Sequence, residues 1–288
     1  MVGKVGKCRE LCNRKYLLVC YNVSMSVWAT RRQLSFILSF ILLLILTIVV
    51  LIVFNRHIPS CTDNEQNQGE LSIDCGGPCL KVCSIETSDL IVLWTRVFPV
   101  REGIYDVVAF VENPNPFGLS DLAYRFRLFD NENVSIKDIV GHTFVNPHER
   151  FLIFESNVNV GFRSPTRAFI EIISTPKWLR LSDIRRPDLT ISNQRNDRRQ
   201  NFSVAATLVN NSSFDANDIE ISAILFDNAG NAIHASRTWV ASLGSADSSD
   251  IIFTWPVYFA SSTASADILS RVNLVDAYRS DEDKQQRK

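Results

Sequence analysis

Cysteine is missing from the last 205 residues of this 288-residue chain. Whatever folds there holds together without disulfides and without thiolate-bound metal. Histidine is scarce as well. The four histidines, His57, His142, His148 and His234, have none of the paired spacing that metal ligands show. A G-x-S-x-G elbow, a phosphate-cradling loop ending in G-K-[S/T] and an H-E-x-x-H pair are all absent. Their absence removes the commonest hydrolase, nucleotide-binding and metalloprotease readings. No stripe of basic and aromatic residues suggests nucleic acid. The chain reads as a non-enzyme with no small-molecule substrate evident.

Charge is lacking in one long stretch. Residues 34–54, LSFILSFILLLILTIVVLIVF, run for 21 positions without an ionisable side chain. At about 1.5 Å per residue, a helix of that length spans the roughly 30 Å hydrocarbon core of a bilayer. Ser35, Ser39 and Thr47 are its polar residues, and their hydroxyls can bond back to the helix backbone. The head before it, residues 1–33, carries seven Lys and Arg against Glu10, a net +6. The whole chain is −1 and the span is uncharged, so everything beyond it carries −7. Basic flanks stay in the cytoplasm. The expected topology is a single-pass anchor, N-terminus inside, with the C-terminal domains extracellular or periplasmic and the bilayer as the first partner. A cleaved signal peptide would have a shorter head and a shorter apolar run. Lipoprotein-type processing before Cys61 is opposed by Pro59 and by Arg56 and His57.

The cysteines sort by side. Cys8, Cys12 and Cys20 precede the span, an odd number suited to reduced cytosolic thiols and one short of a four-ligand zinc site. Cys61, Cys75, Cys79 and Cys83 follow it within 23 residues. In an oxidising compartment these four form two disulfides, with three pairings open, and bridging leaves no thiolates for zinc. The segment 61–83, CTDNEQNQGELSIDCGGPCLKVC, is too polar to fold on an apolar core, so cross-links must hold it. Asp63, Asn67, Glu70 and Asp74 offer the oxygen donors that calcium takes, although not in EF-hand order. The other reading is a solvated, stapled stalk over residues 55–87, and the spacing favours it. The segment, through its DCGGPC core at 74–79, resembles the short Cys-rich module found beside anchors and in extracellular bacterial proteins.

Beyond residue 84, short β-branched and aromatic runs alternate with turn residues every 8–12 positions, the pattern of a β-sandwich. Residues 107–136, VVAFVENPNPFGLSDLAYRFRLFDNENVSI, align without gaps on 204–233, VAATLVNNSSFDANDIEISAILFDNAGNAI. The offset is a constant 97. Alternation buries Leu122, Tyr124, Phe126 and Leu128 in the first copy and Ile219, Ile221, Ala223 and Leu225 in the second. Leu-Phe-Asp-Asn at 128–131 and 225–228 then opens a hairpin turn. These residues resemble the FxLYD domains, extracellular immunoglobulin-like sandwiches, with Phe129 and Phe226 standing where the family has tyrosine. Asn113-Pro114-Asn115-Pro116-Phe117 makes the first copy similar to the LEA14/WHy sandwich as well. The resemblance implies a mainly β fold, one transmembrane helix followed by two tandem immunoglobulin-like sandwiches at 88–175 and 188–276.

A linker at 176–187 separates the copies, and residues 277–288 form a charged tail. The sandwiches are expected to sit as beads on a stalk. The Asn113, Pro114, Asn115, Pro116 and Phe117 loop is the candidate contact surface, weighed against Phe117 simply plugging the end of the sandwich. The sequons at Asn133, Asn201 and Asn210 are formal glycosylation sites. The function expected is non-catalytic presentation of the sandwiches outside the cell, for adhesion, scaffolding or binding a protein partner in the envelope. The alternative is an accessory or sensor subunit that relays binding to the cytoplasmic head.

Overall fold

The computed structural model describes residues 27–54, 59–181, 184–197, 202–255 and 265–277. Cys8, Cys12, Cys20, Arg56, His57, Asn201 and the charged tail beyond residue 277 lie outside the described residues. The chain divides into two compact units, residues 1–58 and 59–288.

The first unit holds helix α1, Val27–Phe54. Its 28 residues rise about 42 Å, and it is long and apolar enough to cross a membrane. It starts seven residues ahead of the uncharged run and so takes in Arg31 and Arg32. The Arg32 guanidinium lies 5.2 Å from the centroid of the Trp28 ring. Ser35 donates to the carbonyl of Arg32, Ser39 to that of Ser35 and Thr47 to that of Leu44, each at 2.8 Å. Each hydroxyl of the uncharged run is therefore returned to the helix backbone.

The second unit is antiparallel β. Strands β1 (Ile91–Arg101), β2 (Ile104–Glu112) and β5 (Arg150–Asn159) form one sheet in the order β1-β2-β5. Facing it, β4 (Ser135–Val145), β3 (Phe117–Phe129) and β6 (Arg167–Ile172) run in the order β4-β3-β6, and the short β7 (Leu179–Arg180) also pairs with β3. The second copy repeats this plan. Strands β8 (Leu189–Asp197), β9 (Phe202–Asn210) and β12 (Ser248–Trp255) oppose β11 (Ala232–Leu243), β10 (Ala216–Phe226) and β13 (Ser265–Arg271).

Alternation within each copy gives each its own core. Val107, Ala109 and Val111 meet Leu122, Tyr124, Phe126 and Leu128 in the first. Val204, Ala206 and Leu208 meet Ile219, Ile221, Ala223 and Leu225 in the second. The residues expected inside are inside. The turn at the end of β3 and of β10 is built alike in both. Asp130 accepts the amides of Glu132 and Val134, and Asp227 those of Ala229 and Asn231, at 2.8–3.0 Å. Those bonds favour the ionised form and hold the Asp227 carboxyl below its ordinary range, Asn231 contributing most.

The beads-on-a-stalk expectation is corrected by a third apolar cluster. Phe98, Val108, Leu152 and Phe154 on the outer face of β1-β2-β5 pack against Ile224 and Ala235 on the outer face of β11-β10-β13. Both faces of these two sheets are covered, so the sandwiches stack into one body. Five successive apolar residues at 107–111 are what a strand buried on both sides requires.

The stack also carries buried charge. Arg271 is almost fully buried, 3.4 Å from Glu149 of the first copy and 4.0 Å from Glu220 of the second. Its guanidinium lies 3.8 Å from the Phe144 ring centroid and 4.4 Å from that of Phe151. Burial pushes this guanidinium down from its ordinary range, and the two glutamates oppose that shift. Asn146 clamps the same corner, donating to the carbonyl of Val272 and accepting from the amide of Leu274.

His234 stacks on Phe98 across the interface, ring centroids 5.3 Å apart. Burial lowers its pKa from 6.5 to about 4. The folded state therefore resists a proton that the unfolded chain accepts. Stability is complete above pH 6.5 and declines as pH falls toward 4, by roughly 1–3 kcal/mol. Denaturant titrations of wild type and His234→Phe across that window check this, and the variant should lose that part of the slope.

Gly141 on β4 is a second constrained position. Tyr124 crosses the core of the first sandwich to donate its hydroxyl to Glu155, 2.8 Å away. Burial and then the neighbouring carboxylate raise the phenol well above its ordinary range, so it stays protonated and donating. A Cβ at Gly141 would collide with both the Tyr124 hydroxyl and the Glu155 carboxylate. Gly141→Ala is expected to destabilise by about 1–3 kcal/mol, read as a shift in denaturant midpoint.

Candidate functional site

The Cys-rich segment is held by Cys61–Cys79 and Cys75–Cys83. Both expected disulfides form, and the crossed pairing is one of the three left open by the sequence. Asn64, Gln68, Gly69, Asp74, Gly76 and Gly77 take left-handed backbone conformations, so its amides point in directions that no regular ladder serves.

The acids serve them instead. Asp63 accepts the amides of Ser60 and Glu65 and the carboxamide of Asn67 at 2.8–2.9 Å. Asp74 accepts the amide of Asn64 at 3.0 Å, and Glu70 accepts that of Asp74 at 3.2 Å. Glu70 itself is buried. The four residues considered for calcium thus form one connected set, in which the three carboxylates accept from turn amides and the Asn67 Oδ1 is buried without a hydrogen-bond partner. A calcium ion takes six to eight oxygens, and the turn amides compete with it for the carboxylates of this set. Cys61 and Cys79 beside Glu70 are bridged, and a disulfide sulfur offers no thiolate to a metal.

This segment is more than a solvated stalk. The Val82 side chain enters the core of the first sandwich together with Trp178. The amide of Val82 donates to the carbonyl of Trp178 at 3.1 Å, and that of Arg180 to Leu80 at 2.7 Å. The Arg180 guanidinium reaches Glu86 at 2.6 Å and lies over the Phe117 ring. The stretch between the copies therefore doubles as strand β7, tying the Cys module to β3. The sequence signal was Trp178-Leu179 inside a charged run.

The Asn113 loop is similarly tied down. Asn113, Asn115 and Phe117 are buried, Pro114 is half-buried and Pro116 is exposed. The Asn113 carboxamide donates to the carbonyls of Phe117 and Asn146 and accepts the amide of Asn115. Asn210 does the same with Phe214, Leu243 and Ser212. Asn210 is fully buried and so closed to glycosylation. Asn115 exchanges two hydrogen bonds with the backbone of Ser88, fixing where the chain enters β1. This geometry accounts for the loop as a clasp, with Phe117 plugging the sandwich end.

Where the module, β7 and the first sandwich meet there is a cavity of about 1260 Å³. Its walls include Leu90, Ile172 and Trp178, with hydroxyls from Ser120, Ser174 and Thr175 and charges from Lys81, Lys177, Asp89 and Asp121. None of these residues is singled out as a site by the sequence, because they come from segments far apart in the chain. Arg185 in the stretch between the copies is exposed, and Arg186 donates to the carbonyl of Pro147. Compared with known proteins, the chain matches no family and no curated relative.

Proposed function

We propose that this chain is a single-pass membrane protein with its basic head in the cytoplasm and both sandwiches outside, where they hold a protein partner of the cell envelope without catalysing a reaction. The sandwiches are read as immunoglobulin-like, of the FxLYD or LEA14/WHy kind. The observation that carries the proposal is the interlocking of the Cys module, β7 and both sandwiches within the unit 59–288. A body cross-linked at its start and ionically clamped between its halves presents its surface in a fixed geometry, which lowers the entropy lost on binding. The net −7 beyond the span and the net +6 before it support the orientation.

Protease added to intact cells should remove the sandwiches and spare an N-terminal tag, whereas a protected C-terminal half would refute the orientation. Crosslinking in native membranes should then join a partner to the sandwiches. Adducts confined to the head would refute the binding role, and turnover of a substrate by the purified chain would refute the non-enzyme reading.

A further inference from the structure

The two disulfides of the Cys-rich module differ in what surrounds them. Cys75, Cys79 and Cys83 are buried, at 8, 1 and 4% exposure, whereas Cys61 is half-buried. Thiol–disulfide exchange begins when a thiolate reaches one sulfur of the bond, so access selects which sulfur is attacked. In the Cys61–Cys79 bridge that sulfur belongs to Cys61. The Cys75–Cys83 bridge offers no comparable entrance. Loop length adds to the contrast. The first bridge closes a sequence separation of 18 and the second one of 8, and the ends of a longer loop meet less often.

A further difference is Glu70, only 6% exposed. Its Oε2 accepts the amide of Asp74, while its Oε1 lies 3.1 Å from the Cys79 sulfur. A bridged sulfur carries no hydrogen and donates nothing. Among the described residues Oε1 therefore has no donor while the bridge is closed, and a buried acceptor left unpaired is costly. When Cys79 is a thiol, its S–H supplies the missing donor. The surroundings of Cys79 thus fit the open bridge better than the closed one. Among the described residues no acid stands in this relation to Cys75 and Cys83, whereas a Glu70 oxygen lies within 4.8 Å of both sulfurs of the first bridge.

We propose that Cys61 is a thiol-exchange site, at which a small thiol opens the Cys61–Cys79 bridge while Cys75–Cys83 stays closed. The incoming thiolate attacks the Cys61 sulfur, the bond between Cys61 and Cys79 breaks, and the electron pair leaves on Cys79. Cys79 takes a proton from water and donates it in a hydrogen bond to Glu70. A second thiolate then attacks the outer sulfur of the adduct, and Cys61 leaves and is protonated in turn. Two small thiols become one disulfide, and the bridge gains two electrons and two protons. Opening frees the loop between residues 61 and 75, whereas Val82 and the remaining bridge keep the end of the module docked. The inference adds a redox-sensitive start to the body and does not depend on what that body binds.

The test equilibrates the full-length chain in detergent micelles with reduced and oxidised glutathione at graded ratios. Samples are quenched in acid, free thiols are alkylated, and each cysteine is read by peptide mass spectrometry. The equilibrium constant for opening should be about tenfold or more larger for Cys61–Cys79 than for Cys75–Cys83, with any glutathione adduct on Cys61 and none on Cys79. Glu70→Gln is the diagnostic variant, its fold confirmed by protease resistance before reduction. Its carbonyl can still accept the Asp74 amide, but its NH2 group, turned toward Cys79, cannot accept from a thiol. Opening should therefore become about tenfold or more harder. A merely structural role for Glu70 predicts the reverse, because a loosened module opens more easily. Near-equal opening of the two bridges, adducts on Cys79, or a folded Glu70→Gln chain that opens as readily as wild type would each overturn the proposal. The wild-type comparison needs no variant and decides even where Glu70→Gln fails to fold. None of these outcomes bears on the protease and crosslinking tests of the broader function.

Discussion

Replacing Arg271 by Ala is expected to cost about 3–5 kcal/mol and to release the second sandwich from the first. The guanidinium sits between Glu149 and Glu220, whose side chains are only 15% and 8% exposed. Removing it takes the cation from Glu149 and leaves Glu220 with Arg237 alone, 3.7 Å away, and an uncompensated buried charge is the expensive outcome when an ion pair is broken. Two aromatic contacts and the bond to the Phe144 carbonyl are lost with it. Denaturant unfolding gives the magnitude, and spin labels on β3 and β9 give the spacing of the sandwiches. A broadened distance distribution is expected for Arg271→Ala. The double change Arg271→Met, Glu149→Gln should recover much of the loss, because it removes that pair together and leaves Glu220 paired with Arg237 at 3.7 Å. A single variant within about 0.5 kcal/mol of wild type would show that the apolar cluster alone holds the stack.

Opening the Cys61–Cys79 bridge by changing both residues to Ser is expected to cost the Cys-rich module about 3 kcal/mol. The bridge closes a loop with a sequence separation of 18, and in the chain-entropy account a loop near that size contributes about this much. The module has little else to fall back on. Its buried residues are chiefly its own cysteines, Glu70 and Val82. Limited proteolysis should cut between residues 61 and 75 in the variant and not in the wild type. The strands β1–β6 should remain intact, since their core needs only Val82 from the module. Mass spectrometry of the unreduced wild type should show Cys61 with Cys79 and Cys75 with Cys83. Equal resistance to protease in the variant would mean that the docking to β7 suffices.

The uneven fate of the two copies shows where reading a sequence stops. At the offset of 97, Val108 and Phe110 correspond to Ala205 and Thr207, and Arg125 and Arg127 correspond to Ser222 and Ile224. Each copy therefore keeps one outer face apolar and makes the other polar, on opposite sheets. Phe98, Val108 and Phe154 of the first copy then meet Ile224 and Leu269 of the second. The free outer face of the first copy carries Arg125 and Arg127, paired with Glu171 and Asp138. The pattern was present in the residues, but alternation read within one strand assumes one buried face per sheet. It does not ask what a second sheet might cover.

The sequence by itself determined the parts. Twenty-one uncharged residues require a helix that satisfies its own backbone, four clustered cysteines in a polar segment require cross-links, and period-two apolar alternation places Tyr124, Phe126 and Leu225 inside. These are local requirements, met by neighbours along the chain. Only the tertiary structure decided the cysteine pairing, the docking of Val82 and Trp178 into the first core and the burial of Arg271. Each of these joins residues distant in sequence, from about ten positions apart to well over a hundred. Such contacts are set by shape and by mutual exclusion of water between surfaces, and no spacing along the chain encodes them.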